Sequence, residues 1–364
     1  MNYNKLIKRF VSLVKIDSES YHEEKIINYI KKVVEKLNGD FYFQQVRENT
    51  GNLIVSFKGN SNKKPIFFNA HLDTVTPGKN INPIITDKLI KSDGNTVLGS
   101  DDKAAVAIFL EGIEYILKNK IEHPDIYFVF TFAEEMGLIG AKHLDFTKIK
   151  AKEGYSFDGD GRVGTIILSA PTHYRYKIIV YGKSSHAGIA PEKGKNAILI
   201  ASDLITKVKM GKIDNDTTAN IGVISGGRAT NIVPDRVTIE GEVRSQNFKK
   251  LKTYIKELKD KINKIKSKYK CKIKIDIWQE YKGFKFNENS FLVKKIVDAC
   301  KKIKVKPIFE YSNGGSDANI FNQNGFKCLN IGIGMQKVHS TEEFILIKDL
   351  INGFRLFISL IENW

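Results

Sequence analysis

The stretch FNAHLDTVTPG, Phe68–Gly78, places a histidine and an aspartate two residues apart at the end of an apolar run. A β-strand points residues i and i+2 to one side, so His71 and Asp73 can share a pocket, one binding something while the other holds it. Other clusters have the same character. Asp101 and Asp102 open a helix in LGSDDKAAVAIFL, Glu134 and Glu135 come just after IYFVFTF, Asp158 follows GYSF, and His339 comes soon after the apolar segment 327–332. Histidines and carboxylates without cysteine suit a borderline divalent ion such as Zn²⁺, Mn²⁺ or Co²⁺. Five candidate ligands exceed what one open catalytic site needs, so two ions are expected, ~3.5–4 Å apart across a bridging carboxylate. The adjacent pair Glu134–Glu135 invites two roles, one ligand and one base, because a base must face the ion-bound water without being consumed as a ligand.

Taken singly, each residue also has an ordinary reading. Asp101 or Asp102 can cap a helix, Glu134–Glu135 can be exposed charge at a helix start, Asp158 can form a turn in DGDG, and His339 can be a loop histidine. His22, His123, His143 and His173 lack such neighbours and receive no role.

Convergence requires elements that bring these clusters to one place. Helices are expected at 3–15, 22–37, 103–118 and 138–145, with strands at 41–46, 52–57, 65–70, 126–132 and 153–157. This alternation predicts an α/β sheet with helices on its faces. Ligands of open α/β sheets bind beyond the carboxyl ends of the strands, which is where the clusters fall. After LSAPTHYRYKIIVYGKSSHAG the pattern changes to strand 174–182, helix 195–209, strands 219–225 and 232–243, helix 247–267 and strand 271–277. That βαββαβ set predicts a small two-layer domain inserted into the first. The α/β pattern then resumes with helix 290–303, strand 306–311, helix 317–323, strand 327–332 and terminal helix 347–362. The expected division is 1–172 and 281–364 for the catalytic domain and 173–280 for the insertion.

A chain of 364 residues exceeds one ordinary hydrophobic core. No apolar run approaches the ~20 residues that span a bilayer, and the N-terminus reads as an amphipathic helix rather than a signal peptide. Three widely spaced cysteines, Cys271, Cys300 and Cys328, suggest a reducing cytoplasm and no disulfide framework. The net charge of +17 raises the possibility of a nucleic-acid partner, yet only eight of the 58 basic residues are arginine, the residue suited to bidentate phosphate and base recognition. Twelve lysines fall within Lys249–Lys274, where Leu251, Tyr254, Ile255, Leu258, Ile262 and Ile265 recur at helical spacing. A lysine-covered outer face of an amphipathic helix accounts for them.

HLD at 71–73, GSDDKAA at 99–105, AEEMGLIGAKHL at 133–144, FDGD at 157–160 and HSTEE at 339–343 occur in the order seen in the M20 family of metallopeptidases. Nearly the whole chain resembles that family, and especially its peptidase T group of tripeptide aminopeptidases, including GKSSHAGIAPEKGKNAI and GGRATNIVPD in the insertion. The resemblance implies a catalytic domain with a mixed sheet flanked by helices and a lid domain that dimerises. It implies two divalent ions, zinc first, with manganese or cobalt as alternatives. His71 and Asp158 would hold one, Glu135 and His339 the other, and Asp101 would bridge them. Asp73 would orient His71 through its second ring nitrogen. Glu134 would be the general base for a metal-bound hydroxide that attacks the peptide carbonyl, and later the proton donor to the leaving amine. His186 would stabilise the oxyanion, often in the partner subunit's site, with Asn220, Arg244, Gly314 and Gly315 contacting substrate. The aspartate at position 158, where deacylases and carboxypeptidases of the family more often carry glutamate, favours an aminopeptidase. Ala105 departs from the glycine usual after the lysine, which alters packing beside Asp101 more than chemistry.

Three rival readings remain: an M20 amidohydrolase of another specificity, such as an N-acyl amino acid deacylase or dipeptidase; a basic nucleic-acid-binding protein without catalysis; and a nucleophilic hydrolase built on Ser184 or Ser185 with His186. The intact ligand set opposes the second. The third lacks a nucleophile elbow, and residues so close in sequence rarely form a triad.

Overall fold

The computed structural model describes residues 3–159 and 161–364; Met1, Asn2 and Asp160, the last residue of the FDGD motif, lie outside the described residues. The chain divides into two compact units. One comprises the residues up to Ser169 with Lys285–Ser312 and Ser316–Trp364, the other Ala170–Phe284 with Asn313–Gly315.

The first unit is built on a mixed sheet. Its strands run in the order Asp40–Arg47, Thr50–Phe57, Ile126–Thr131, Ile66–His71, Glu153–Gly159, Lys327–Gly332 and Thr165–Ala170. The four from Ile126–Thr131 to Lys327–Gly332 are parallel to one another, so their carboxyl ends share one edge. Both IFFNAH and IYFVFT are buried along their whole length, as expected of parallel strands covered on both faces. Successive side chains go to opposite faces. Phe68 packs with Phe109 and Phe357, from helices Ser100–Lys118 and Ile347–Glu362, while Phe67 stacks on Phe321 from helix Asp317–Gln323 at 5.0 Å. Helix Ser100–Lys118 is buried from Asp102 through Ile113 and needs small residues for its close packing. A Cβ on Gly112 would stand 2.4 Å from the Phe357 ring.

Strand Thr165–Ala170 and a four-stranded sheet of two- and three-residue strands (Ile84–Ile85, Leu89–Lys91, Met335–Gln336, Phe344–Leu346) have no counterpart in the expected elements. Helix Ser100–Lys118 begins three residues before its expected start at 103, and Asp101 and Asp102 within it have non-helical backbone angles.

The second unit is an antiparallel sheet in the order Gly211–Lys212, Thr217–Gly226, Arg236–Ser245, Thr172–Tyr181, Ile273–Tyr281. Helices Ala197–Ile205 and Phe248–Tyr269 cover one face, burying Leu251, Tyr254, Leu258, Ile262 and Ile265 against Tyr176, Ile178, Ile239 and Val243. The lysine-rich side of the longer helix is left outside this core.

Candidate active site

The shared carboxyl edge of the parallel strands gathers seven of the residues singled out above. His71 ends strand Ile66–His71 and is buried. Its Nδ1 lies 2.9 Å from the backbone carbonyl of Asp73 and 3.4 Å from the Asp73 carboxylate. A proton on Nδ1 donated to that carbonyl leaves Nε2 as a lone pair, the tautomer a metal ligand needs. Nε2 faces Asp101 Oδ1 at 2.9 Å and Asp158 Oδ1 at 3.7 Å. The other oxygen of Asp101, Oδ2, lies 3.3 Å from His339 Nε2, which also meets Glu135 Oε1 at 2.7 Å. One carboxylate thus presents its two oxygens to two histidines, each histidine having a further carboxylate of its own.

The Asp73 carboxylate is fully buried and accepts hydrogen bonds from Ser20 Oγ (2.7 Å), Glu134 N–H (2.9 Å) and Glu135 N–H (3.2 Å). It therefore fixes the turn that carries both glutamates as well as lying beside His71. Asp102, the neighbour of Asp101, turns the other way. Its Oδ2 accepts the His71 backbone N–H at 3.2 Å, and its Oδ1 is buried without a hydrogen-bond partner among the described residues.

Electrostatics follow from burial. Burial and the nearby Asp158 carboxylate push the Glu134 carboxyl well above the usual carboxylate range. Asp158 is pushed up by burial, with the His71 ring opposing that shift. Hydrogen bonds donated to the carboxylates of Asp101 and then Glu135 raise His339 to about 10. Burial would lower His71, but its hydrogen bonds to Asp101 and Asp73 more than reverse this and leave it well above its ordinary value. Glu134, Asp158 and Asp101 thus crowd a site where, among the described residues, the imidazoles of His71 and His339 face them, an arrangement that calls for cations.

The donor set fits divalent metal. Ligand atoms of His71, Asp101 and Glu135 lie within 4.8 Å of one another, as do those of His71, Asp102 and Asp158. Oxygen and imidazole donors without thiolate match the borderline ions expected from the sequence, and the unpartnered Asp102 Oδ1 is a further buried acceptor beside them.

Sequence reasoning missed three buried carboxylates around this cluster. Asp317 accepts from Thr131 Oγ1 and, at 3.3 Å, from Asn69 Nδ2; Asn69 precedes His71 by two residues on the same strand face. Glu23 accepts the N–H of Ala133 at 3.0 Å and the Thr50 hydroxyl at 2.5 Å, just before Glu134. Glu343 binds the turn leading to Asp101. Asp317 follows a serine at a helix start and reads in sequence as a cap, Glu23 has no local signature, and Glu343 stands in the HSTEE motif with nothing local to tell it from Glu342.

The other five predicted residues belong to the second unit. His186 is exposed on the loop after strand Thr172–Tyr181, and its Nδ1 accepts the N–H groups of Gly188 and Ile189, both at 3.2 Å. Its proton is therefore on Nε2, which can donate. Arg244 grips Glu242 through Nε (3.0 Å) and Nη2 (3.2 Å), and His173 and Arg244 together pull Glu242 down to about 2. Asn220 stands opposite Glu242 in the strand register. Gly315 lies against Tyr281, where an added Cβ would be 2.2 Å from the ring, and Gly314 precedes it.

Residues 172–270 match the model of the peptidase dimerisation domain, residues 52–205 that of peptidase family M28, and residues 284–356 that of the M42 glutamyl aminopeptidases. The crystal structure of the aminopeptidase PepT from Bacillus cereus is 38% identical, with a TM-score of 0.92, over 100% of this chain and 99% of that one. The chain belongs to the peptidase T group of M20 metallopeptidases. A tripeptidase from Staphylococcus aureus is similar at 36% identity and TM-score 0.95, over 100% of this chain and 98% of that one. Peptidase T of Clostridium botulinum is 26% identical over 98% of both chains. A dinuclear metal-binding M20 peptidase from Bacillus subtilis, 16% identical with a TM-score of 0.75, shares the fold. Membership makes this M20 chain a metallo-aminopeptidase, a hydrolase, and does not favour the deacylase, dipeptidase or nucleic-acid-binding alternatives. Among the described residues no helix is long and apolar enough to cross a membrane.

Proposed function

We propose that this M20 peptidase is a two-metal, cytoplasmic aminopeptidase that removes the N-terminal residue from short peptides, tripeptides above others. The observation that carries the two-metal part is the divergent carboxylate of Asp101, with one oxygen toward His71 and the other toward His339. When metal is bound, His71 and Asp158 would hold one ion and Glu135 and His339 the second, with Asp101 shared between them. Zinc is the first candidate, with manganese and cobalt next. Such ions, when bound, polarise the scissile carbonyl and acidify water. Glu134, set by the Asp73 hydrogen bond to its N–H, takes the proton of the attacking water and later delivers it to the leaving amine. Asp73 holds the His71 ring. His186, with its Nε2 proton, donates to the oxyanion, and Arg244, Asn220 and the Gly314–Gly315 turn receive the substrate. Similarity to an aminopeptidase and to a tripeptidase supports the substrate class.

The inserted unit is proposed as a lid and homodimerisation domain. Strand Thr217–Gly226 is joined by Gly211–Lys212 only at Thr218 and Ala219, which leaves the edge from Asn220 onward without a strand on that side among the described residues. Val223 and Ile224 are about half exposed there, as are Ile198 and Leu199 on the neighbouring helix. A long edge carrying apolar side chains is the kind of surface a second copy covers. The test is cleavage of di-, tri- and tetrapeptides beside N-acyl amino acids, with metal content measured on the same samples. Preferential hydrolysis of N-acyl amino acids would overturn the aminopeptidase reading.

A further inference from the structure

Glu342 and Glu343 are neighbours in HSTEEF with opposite surroundings. Glu342 is exposed and pairs with Lys337 at 2.6 Å. Glu343 is 1% exposed, and its carboxylate runs into the turn that precedes helix Ser100–Lys118. Four donors meet it there. Leu98 N–H (2.7 Å) and Gly99 N–H (2.8 Å) bind Oε2, while Ser100 Oγ (2.6 Å) and Asp101 N–H (3.2 Å) bind Oε1. Groups at a helix start have no partner within the helix and favour a negative charge. Gly99 adopts φ +73 at this point, a conformation that glycine reaches without strain.

The carboxylate is itself held on a firm frame. The Glu343 N–H bonds Ser340 O at 3.1 Å, its carbonyl accepts from Ser92 N–H at 2.9 Å, and the following strand Phe344–Leu346 pairs with Leu89–Lys91. His339 lies four residues before it, with φ +61. A single buried side chain therefore ties together the two loops that carry Asp101 and His339. Asp101 must present two oxygens in two directions at 2.9 and 3.3 Å, so a small rotation of its backbone would spoil one of them.

We infer that Glu343 is a positioning residue for the metal pair: by holding the backbone of Leu98–Asp101 it sets Asp101 as a bridge between the sites of His71 and His339. The inference rests on the two-metal reading above. Glu343 need touch neither ion nor substrate, so its removal acts through Asp101.

The test is titration of Mn²⁺ alone into metal-free wild type, Glu343→Gln and Glu343→Asp, followed calorimetrically, with metal-free melting and circular dichroism recorded in parallel. The glutamine can keep its oxygen on Leu98 and Gly99 and let the Ser100 hydroxyl turn to its nitrogen, so it loses chiefly the acceptor for Asp101 N–H. Expected is a folded Glu343→Gln that binds Mn²⁺ about 10–100-fold more weakly, the usual scale for a residue behind a metal ligand. Glu343→Asp, which keeps the charge but is one methylene short, should lie between. A Glu343→Gln with wild-type Mn²⁺ affinity overturns the inference, and so does a lowered melting temperature with unchanged affinity, which leaves only a helix cap. Should Glu343→Gln fail to fold, Glu343→Asp decides: weakened binding supports the role and wild-type binding overturns it. Wild type that binds no divalent ion overturns the two-metal reading together with this one, whereas two ions bound equally by all three proteins overturns only this one.

Discussion

The carboxylate of Asp73 accepts the backbone N–H of Glu134 at 2.9 Å. The same carboxylate takes Glu135 N–H and the Ser20 hydroxyl, and stands 3.4 Å from His71 Nδ1. Asp73 thus orders the proposed base as well as the proposed metal ligand. Asp73→Asn keeps one acceptor but aims an amide at a neighbouring donor. It should retain its metals and lose about 10–100-fold in kcat with little change in KM. Steady-state kinetics beside metal analysis checks this, and wild-type kcat would remove Asp73 from the mechanism.

Chelation should abolish activity, and Zn²⁺, Mn²⁺ or Co²⁺ should restore it. His71→Ala and His339→Ala should each lower metal occupancy, because each deletes an imidazole that faces the Asp101 carboxylate. Full turnover by protein with verified absence of metal would exclude the two-metal mechanism.

The parts of this molecule legible in its sequence are those with strong local pattern. IFFNAH and IYFVFT announce buried strands, and candidate ligand residues placed at strand ends announce a shared edge. Two- and three-residue strands such as Ile84–Ile85 and Met335–Gln336 are too short to show a period, and Thr165–Ala170 merges by composition with the strand that follows it. Adjacent acidic pairs were the harder problem. Asp101 and Asp102, or Glu342 and Glu343, are chemically alike, and only tertiary packing turns one toward two histidines or solvent and buries the other among backbone donors. Asp317 was hidden for the same reason, since its partners Asn69 and Thr131 are remote in sequence.

Burial pushes the Asp317 carboxyl up to about 6 against the Thr131 hydroxyl. Its folded value lies above the unfolded one of 3.8, so the folded metal-free protein binds more protons between them and loses stability as pH rises through that window. Asp317→Asn removes the penalty, which is at most on the order of 3 kcal/mol. In metal-free protein the variant's melting advantage over wild type should be small at about pH 4.5 and grow toward pH 7.5, the far side of the window. A difference that does not vary with pH would refute this.

If His186 completes the partner subunit's site, two inactive chains should complement each other. Mixing His186→Ala with Glu134→Gln gives hybrid dimers in which one site has both wild-type residues. Partial activity should return on mixing and scale with the hybrid fraction. Confirmed hybrids with no activity would count against a shared site.

Glu134 and Glu135 give the sharpest separation of roles. Both N–H groups are tied to Asp73, but only the Glu135 carboxylate reaches His339, at 2.7 Å, while the Glu134 carboxyl is buried beside Asp158. Glu134→Gln keeps the shape and hydrogen-bonding capacity of the side chain and removes its proton acceptor. It should bind metal almost normally and still bind peptide, yet turn over at least ~100-fold more slowly, the lower end of what a general base contributes. Glu135→Gln replaces the proposed anionic ligand with a weaker neutral one. It should lose affinity at one metal site and recover part of its turnover when metal is added. Metal stoichiometry measured beside turnover for both variants decides between the roles. Loss of metal by Glu134→Gln, with metal kept and turnover lost in Glu135→Gln, would reverse the two assignments; unimpaired turnover in both would remove the glutamate pair from the chemistry.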